Sequence, residues 1–196
     1  MKYNTQNNRL IWESFQEGNK EAFAQLYNQY VQVLFRYGTK LCPCDAMVKD
    51  AIQEVFLDLY QKRKKNKTNP ENLKYYLILA LKRNLIKKLQ QDRKMVENQI
   101  DFELNFDPEY GAESIIIEEE EEQEIKSKIN RALNLLPSKQ KEALYLRFNE
   151  SLTYEEIARL LNISVESVRK QVYRGLKTLR ETYDMKMFVF TLLFRK

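Results

Sequence analysis

Ser167, Arg169, Lys170, Tyr173 and Arg174 share one face of a short segment, residues 165–180. Their side chains donate hydrogen bonds and carry positive charge, which suits the edges and phosphates of duplex DNA. The opposite face carries Val165, Val168, Val172, Leu176 and Leu179 at offsets of three and four, the pattern of a buried helical stripe. Between positions 165 and 180 there are five basic residues and one acid, Glu166. Groove binding requires that footprint, whereas an ordinary helical hairpin with a solvated charged face does not. What must position this helix stands just before it. Thr153 can cap a preceding helix, Glu156 three residues later completes a capping box, and Ile157, Leu160 and Leu161 supply its apolar face. Residues 162–164 make a short turn in which Ser164 can cap the second helix. Residues 153–180 thus read as a helix-turn-helix whose second helix is shaped for a major groove.

Composition limits the alternatives. The chain has 196 residues, long enough for one large domain or two small ones. Glycines and prolines number four each and amphipathic periodicity is widespread, so the expected class is all-α. The absence of histidine removes the commonest general base and the commonest metal ligand. Cys42 and Cys44 flank Pro43; such a pair is either a redox or metal fragment or two reduced thiols in a helix–helix loop. Two thiols cannot close a tetrahedral zinc site, so no metal or other cofactor is expected. So few cysteines suit a cytoplasmic protein, and the N-terminal residues lack the apolar core of a signal peptide.

Charge divides the chain into three zones. Residues 62–94 hold twelve Lys and Arg against two acids, Glu71 and Asp92. Residues 95–125 hold twelve acids and no base, and the chain turns basic again from Lys126. The acidic zone, with Pro108, Gly111 and the run at 118–122, reads as a solvated, self-repelling linker. The expected plan is therefore two small helical domains, 1–95 and 124–184, an acidic flexible linker at 96–123 and an apolar tail at 185–196. In the first domain helices are expected over 10–17, 20–39, 45–63 and about 70–95. The aromatics Phe23, Tyr27, Tyr30 and Tyr37 suit a core better than a cofactor box.

Two segments of that domain depart from a simple core pattern. In residues 45–63, Val48, Ile52, Val55, Phe56 and Leu59 form the core stripe, while Leu57 lies nearly opposite, among Asp50, Gln53, Glu54 and Gln61. That leucine is either a protein-docking spot or one scattered surface residue. The second is the basic loop at 62–72 and the helix after it, where Tyr75 and Tyr76 alternate with Lys82, Arg83, Lys87 and Lys88. Basic side chains can track phosphates while tyrosines stack on unpaired bases; either tyrosine could equally be core.

Residues 50–60, DAIQEVFLDLY, resemble the polymerase-binding helix of bacterial sigma factors, where a D-x-x-Q-E-V-F pattern is typical. Residues 136–181 resemble the promoter −35 domain of the same family. The two motifs in this order, about a hundred residues apart, with only a linker between them, resemble the compact extracytoplasmic-function (ECF) group of sigma-70-like factors. The resemblance implies a non-enzymatic factor that binds core RNA polymerase and directs initiation through the −10 and −35 elements.

It also implies roles for residues. Asp50, Gln53, Glu54 and Leu57 would bind the clamp helices of the largest polymerase subunit. Lys64, Lys65, Asn66 and Lys67 of the basic loop, with Tyr75 and Tyr76, would capture the melted −10 element. Lys82, Arg83, Asn84, Lys87 and Lys88 would track its backbone and the upstream duplex. Ser167, Arg169, Lys170, Tyr173 and Arg174 would sit in the −35 major groove, and the acidic linker would thread toward basic polymerase channels. An anti-sigma factor, often membrane-bound in this family, is the further partner implied. In one place the sequence departs from the pattern: many members have an acid four residues after an asparagine in the −10 helix, and here lysine stands in its place. The apolar run in the tail is too short to span a bilayer; it is expected to extend the last helix and pack on the C-terminal domain, or to help dock an anti-sigma factor.

The principal alternative is a free-standing helix-turn-helix regulator with an N-terminal sensor or dimerisation domain. A protein that binds RNA or single strands would rest on the basic, tyrosine-bearing helix alone. A helical enzyme has no histidine and no recognisable carboxylate site to work with.

Overall fold

The computed structural model describes residues 2–65, 72–94, 105–107 and 132–182. Asn66 and Lys67, the tail at 185–196 and most of the stretch expected as a linker lie outside the described residues. All regular structure among the described residues is helical, and the chain divides into two compact units, Met1–Leu104 and Asn105–Lys196.

The first unit contains α1 (Lys2–Glu17), α2 (Lys20–Leu41), α3 (Asp45–Gln61) and α4 (Leu73–Lys94). α1 packs on α2, and α2, α3 and α4 pack on one another. The break between α1 and α2 is local chemistry. Gly18 adopts a positive φ of 100° and donates to Phe15 O at 2.9 Å, while Asn19 N donates to Ser14 O at 3.1 Å. That is a Schellman ending, which glycine accepts without steric strain. The Asn19 side chain then caps α2 by accepting from Glu21 N (2.8 Å) and Ala22 N (3.0 Å). α1 begins eight residues earlier than its apolar pattern indicates. Its first turns are polar and carry no amphipathic signal; they extend a helix already anchored by buried Trp12 and Phe15, and propagation is far easier than nucleation.

The core of this unit is the expected stripe of α3 (Val48, Ile52, Val55, Phe56, Leu59) against Leu26, Leu34, Tyr37, Leu77, Ile78, Leu81 and Leu85. Trp12, Phe15, Phe23, Tyr27, Phe56 and Tyr60 form a chain of tilted, stacked and edge-on ring contacts 5.3–5.8 Å apart within α1–α2, and 4.8–6.4 Å where α3 joins. α3 ends two residues before the expected boundary. Arg63 turns back, donating to Tyr60 O at 2.8 Å and covering the Tyr60 ring at 4.3 Å, so the chain leaves the helix there. Cys42 is buried and Cys44 exposed, both as free thiols in the link between α2 and α3, and burial pushes the Cys42 thiol up.

The second unit holds α5 (Ser138–Leu144), a π-helical turn (Tyr145–Asn149), α6 (Tyr154–Leu161) and α7 (Val165–Thr182). α7 packs on both α5 and α6. It approaches α5 closely at Gly175, where an added Cβ would lie 2.8 Å from Leu144 Cδ1. Residues 105–107 correct the expectation of a wholly solvated linker. Phe106 is fully buried, its backbone N–H donates to Ser138 Oγ at 2.6 Å, and its ring meets Tyr145 at 5.4 Å. One large aromatic in an acidic stretch is enough to override the local charge, because its burial outweighs the ordering of a few residues.

Truncating Phe106 removes a buried ring without filling its site. Phe106→Ala is expected to destabilise the second unit by about 3 kcal/mol. Thermal melts of the full chain monitored at a probe on α7 will check this; an unchanged midpoint would show that the contact contributes nothing.

Candidate nucleic-acid and protein interfaces

On α3, residues 50, 53, 54 and 57 fall at offsets of three, four and seven and so share a face. Asp50, Gln53 and Glu54 are exposed, and Leu57 is 56% exposed on the side away from the core. An apolar side chain held out among carboxylates and an amide, on a helix whose other face is locked into the core, offers a partner a defined anchor.

α4 buries Leu77, Leu81 and Leu85 in the core, and Asn84 and Lys88 continue along the same side of the helix. These two polar groups meet the acidic face of α3. Asn84 Nδ2 donates to Glu54 Oε2 at 2.7 Å, Lys88 Nζ donates to Glu54 Oε1 at 2.7 Å, and Lys88 also pairs with Asp50. The Lys88 and Asn84 hydrogen bonds hold the Glu54 carboxyl below its ordinary value of 4.5. The hydrogen bonds to Asp50 and Glu54 hold the Lys88 ammonium above its own. A cleft of about 360 Å³ lies beside the bridge, lined by Ala46, Met47, Asp50, Lys88, Gln91 and Asp92.

The other expected −10 residues divide by face. Arg83 and Lys87 are exposed and Tyr76 is half-buried; all three lie on one stripe of α4, at offsets of seven and four. Tyr75 and Lys82, seven residues apart, are half-buried on a neighbouring strip. Lys64 and Lys65 are exposed where the chain leaves α3. Arg83, Lys87, Tyr76, Lys64 and Lys65 therefore stay open to a ligand, while Asn84 and Lys88 are turned to α3.

In the second unit the Thr153 hydroxyl accepts from Glu156 N at 3.2 Å and the Glu156 carboxylate accepts from Thr153 N at 2.8 Å, the reciprocal capping box expected. α6 ends at Asn162, which takes left-handed geometry (φ 53°, ψ 47°), a conformation asparagine tolerates. Ser164 caps α7 by accepting from Ser167 N at 3.1 Å. The Ser167 hydroxyl lies 2.8 Å from Ser164 Oγ, so it is drawn into the cap rather than left free. Lys170 pairs with Glu166 at 2.7 Å, both exposed. Arg174 is exposed, and Tyr173 stands out at 69% exposure. Arg169 lies 5.6 Å from the centre of the Tyr154 ring, whose centre is also 4.8 Å from Arg147. Tyr154 and Arg147 are not apparent from the α7 pattern alone. Their signal is positional: Tyr154 opens α6, and Arg147, in the π-helical turn before it, donates to Leu152 O at 2.9 Å. This turn is braced further by Tyr145 Oη donating to buried Glu150 at 3.0 Å.

Two family models match the sequence. Sigma-70 region 2 covers residues 26–95 and Sigma-70, region 4 covers residues 126–179, together more than half of the chain. The chain belongs to the sigma-70 family of RNA polymerase sigma factors. Its two matched regions and its two helical units are those of the ECF group, and its function is to bind core RNA polymerase and direct it to promoters. Among curated proteins there is no sequence match. The fold resembles two solved structures. CnrH, in complex with the cytosolic domain of CnrY, gives a TM-score of 0.55 at 16% identity, over 91% of this chain and 98% of that one. The sigma factor RpoE in complex with the anti-sigma factor NepR, from Bartonella quintana, gives 0.56 at 17% identity, over 84% and 98%. At such identities the likeness concerns the fold. No described helix is long and apolar enough to cross a membrane, and the described residues contain no His, Cys, Asp and Glu cluster arranged to hold a metal.

The bridge between α3 and α4 has a pH signature. Glu54 titrates lower in the folded chain than when unfolded, so its contribution is present above about pH 4.5 and is lost as pH falls through the folded value. Lys88 titrates higher, so its contribution is lost only as pH rises beyond its ordinary 10.5. Glu54→Gln should therefore destabilise the chain at neutral pH by an amount that shrinks on acidification. Urea melts of both proteins at neutral and acidic pH will test this, and a constant difference would contradict it.

Proposed function

We propose that this sigma factor docks on polymerase through one face of α3 and reads promoter DNA with two separate surfaces. The observation that carries the docking assignment is Leu57, held out beside exposed Asp50, Gln53 and Glu54 while the opposite stripe of α3, Val48, Ile52, Val55, Phe56 and Leu59, is buried. Polymerase clamp helices of basic character would meet the carboxylates around an apolar anchor, the arrangement that gives a hot spot its strength. Lys64, Lys65, Asn66 and Lys67, with Tyr75, Tyr76, Lys82, Arg83 and Lys87, form the −10 surface, where bases of the opened strand stack and phosphates are tracked. On α7, Arg169, Lys170, Tyr173 and Arg174 face the −35 major groove. Ser167 contributes first through the cap, since its hydroxyl is shared with Ser164. Domain boundaries follow the same division: 1–95 for polymerase and −10 functions, 96–123 as the tether apart from the Phe106 anchor, and 124–184 for the −35 element.

The factor acts in the cytoplasm, catalyses no reaction itself and lends specificity to the polymerase. An anti-sigma factor is the regulatory partner best supported: RpoE, a fold neighbour, is described in complex with one.

Two experiments separate the surfaces. Leu57→Asp combined with Glu54→Lys should abolish holoenzyme assembly while the chain keeps its fold by circular dichroism; normal assembly would refute the docking face. Arg174→Ala should weaken promoter binding by the holoenzyme. If Arg174 grips a base edge bidentately the loss is about 1–3 kcal/mol and confined to one −35 position. If it grips phosphate the loss is uniform across sequences and the salt slope falls by about one. Unaltered binding on every −35 sequence would remove it from the groove.

A further inference from the structure

Lys88 belongs by sequence to the basic segment, and the structure gives that lysine a definite task. Its ammonium bridges Asp50 and Glu54, four residues apart on α3, and Asn84 takes the second oxygen of Glu54. The exposures are unequal: the Lys88 side chain is 19% exposed, against 58% for Asp50 and 49% for Glu54. The donors therefore sit behind the carboxylates, and the carboxylates face solvent. Each carboxylate oxygen has two lone-pair directions, so one bond per oxygen leaves acceptor capacity pointing outward. Without Lys88, two like charges at a spacing of four would repel and sample many rotamers. With it, both side chains are fixed before any partner arrives, which lowers the ordering cost of docking.

The geometry points to Lys88, supported by Asn84, as a positioning residue of the polymerase-docking face and not a phosphate contact of the −10 surface. It holds Asp50 and Glu54 where basic groups of the polymerase can engage their open lone pairs. This rests on the docking assignment of Asp50 and Glu54 made above. It carries a sign that bulk electrostatics does not. Removing Lys88 leaves the face more acidic, and long-range attraction alone would then bring a basic partner in more tightly. Loss of positioning predicts weaker binding.

The test uses the full chain and core polymerase. Lys88→Met should weaken the equilibrium Kd for core polymerase roughly tenfold, about 1.4 kcal/mol, and Lys88→Arg should recover most of it. Promoter binding and opening at saturating polymerase should match wild type, with the salt slope unchanged. Thermal melts of each variant distinguish lost positioning from lost folding. Should Lys88→Met melt much lower, Asn84→Ala reads the same bridge from the other oxygen of Glu54, with a smaller loss of about threefold expected. Wild-type or tighter polymerase affinity in the Met variant, or in Asn84→Ala where that variant stands in, would overturn the proposal. So would a loss of promoter affinity with a shallower salt slope, the mark of a phosphate contact. Asp50→Asn and Glu54→Gln separate the two layers. If both bind polymerase normally, the docking face itself is wrong; if they weaken binding while the Met variant does not, only the positioning role fails.

Discussion

The first unit depends on the seating of α3. That helix must bury one face against α2 and α4 while keeping the opposite face open, and a rotation by one residue, about 100°, would already turn core residues outward. Its rotation is locked by close approach: at Gly38 of α2 an added Cβ would lie 2.6 Å from Val48 Cγ1, a branched side chain with little room to yield. Val48 is fully buried in that contact, and Ile52, Val55, Phe56 and Leu59 follow on the same stripe. Because a helix turns about 100° per residue, fixing Val48 and Phe56 also fixes where Asp50, Glu54 and Leu57 project. The outward face is thus a consequence of core packing and needs no separate device to orient Leu57.

The second unit solves a similar problem with caps. Its two shorter helices have seven and eight residues, too short to persist on propensity alone. The Thr153–Glu156 box and the Ser164 cap satisfy backbone donors at the starts of α6 and α7, and left-handed Asn162 turns the chain between them. This arrangement uses part of the proposed −35 surface for structure. Ser167 is tied to the cap and Lys170 to Glu166, while Tyr173 and Arg174 carry no such obligation in the bonds described and extend from the next turn. An exposed pair such as Glu166–Lys170 is weak, so it can open when a phosphate competes for the lysine.

These differences also mark what the sequence makes legible. Stripes of apolar residues and capping boxes depend on neighbours within one or two turns, and both appear in the structure as read. What local pattern misses is the partner of a polar residue. Lys88 belongs to a basic segment by composition, yet its offset from Leu77, Leu81 and Asn84 places it on the stripe that meets α3. Composition favoured phosphate, while helical phase favoured Asp50 and Glu54, thirty-eight and thirty-four residues away in sequence. Phe106 is the same lesson in a linker: twelve acids surround the reading, and one ring finds Tyr145 and Ser138. The polar first turns of α1 escape notice because their helical state is inherited from Trp12 and Phe15 downstream.

Seen through its charges, the first unit has to keep two opposite surfaces close together without letting them cancel. α3 offers carboxylates, and α4, with the chain just after α3, offers lysines and arginines. At separations of a few ångströms such groups attract strongly, and screening at physiological salt acts over about 8 Å, too far to insulate them. Lys88 resolves this at the seam. One lysine, largely covered, satisfies both Asp50 and Glu54 on their inner side. Arg83 and Lys87, on another face of the same helix, remain exposed to solvent. One ammonium against two carboxylates offsets only half of their charge, so the α3 side stays net negative while α4 keeps the positive charge of Arg83 and Lys87.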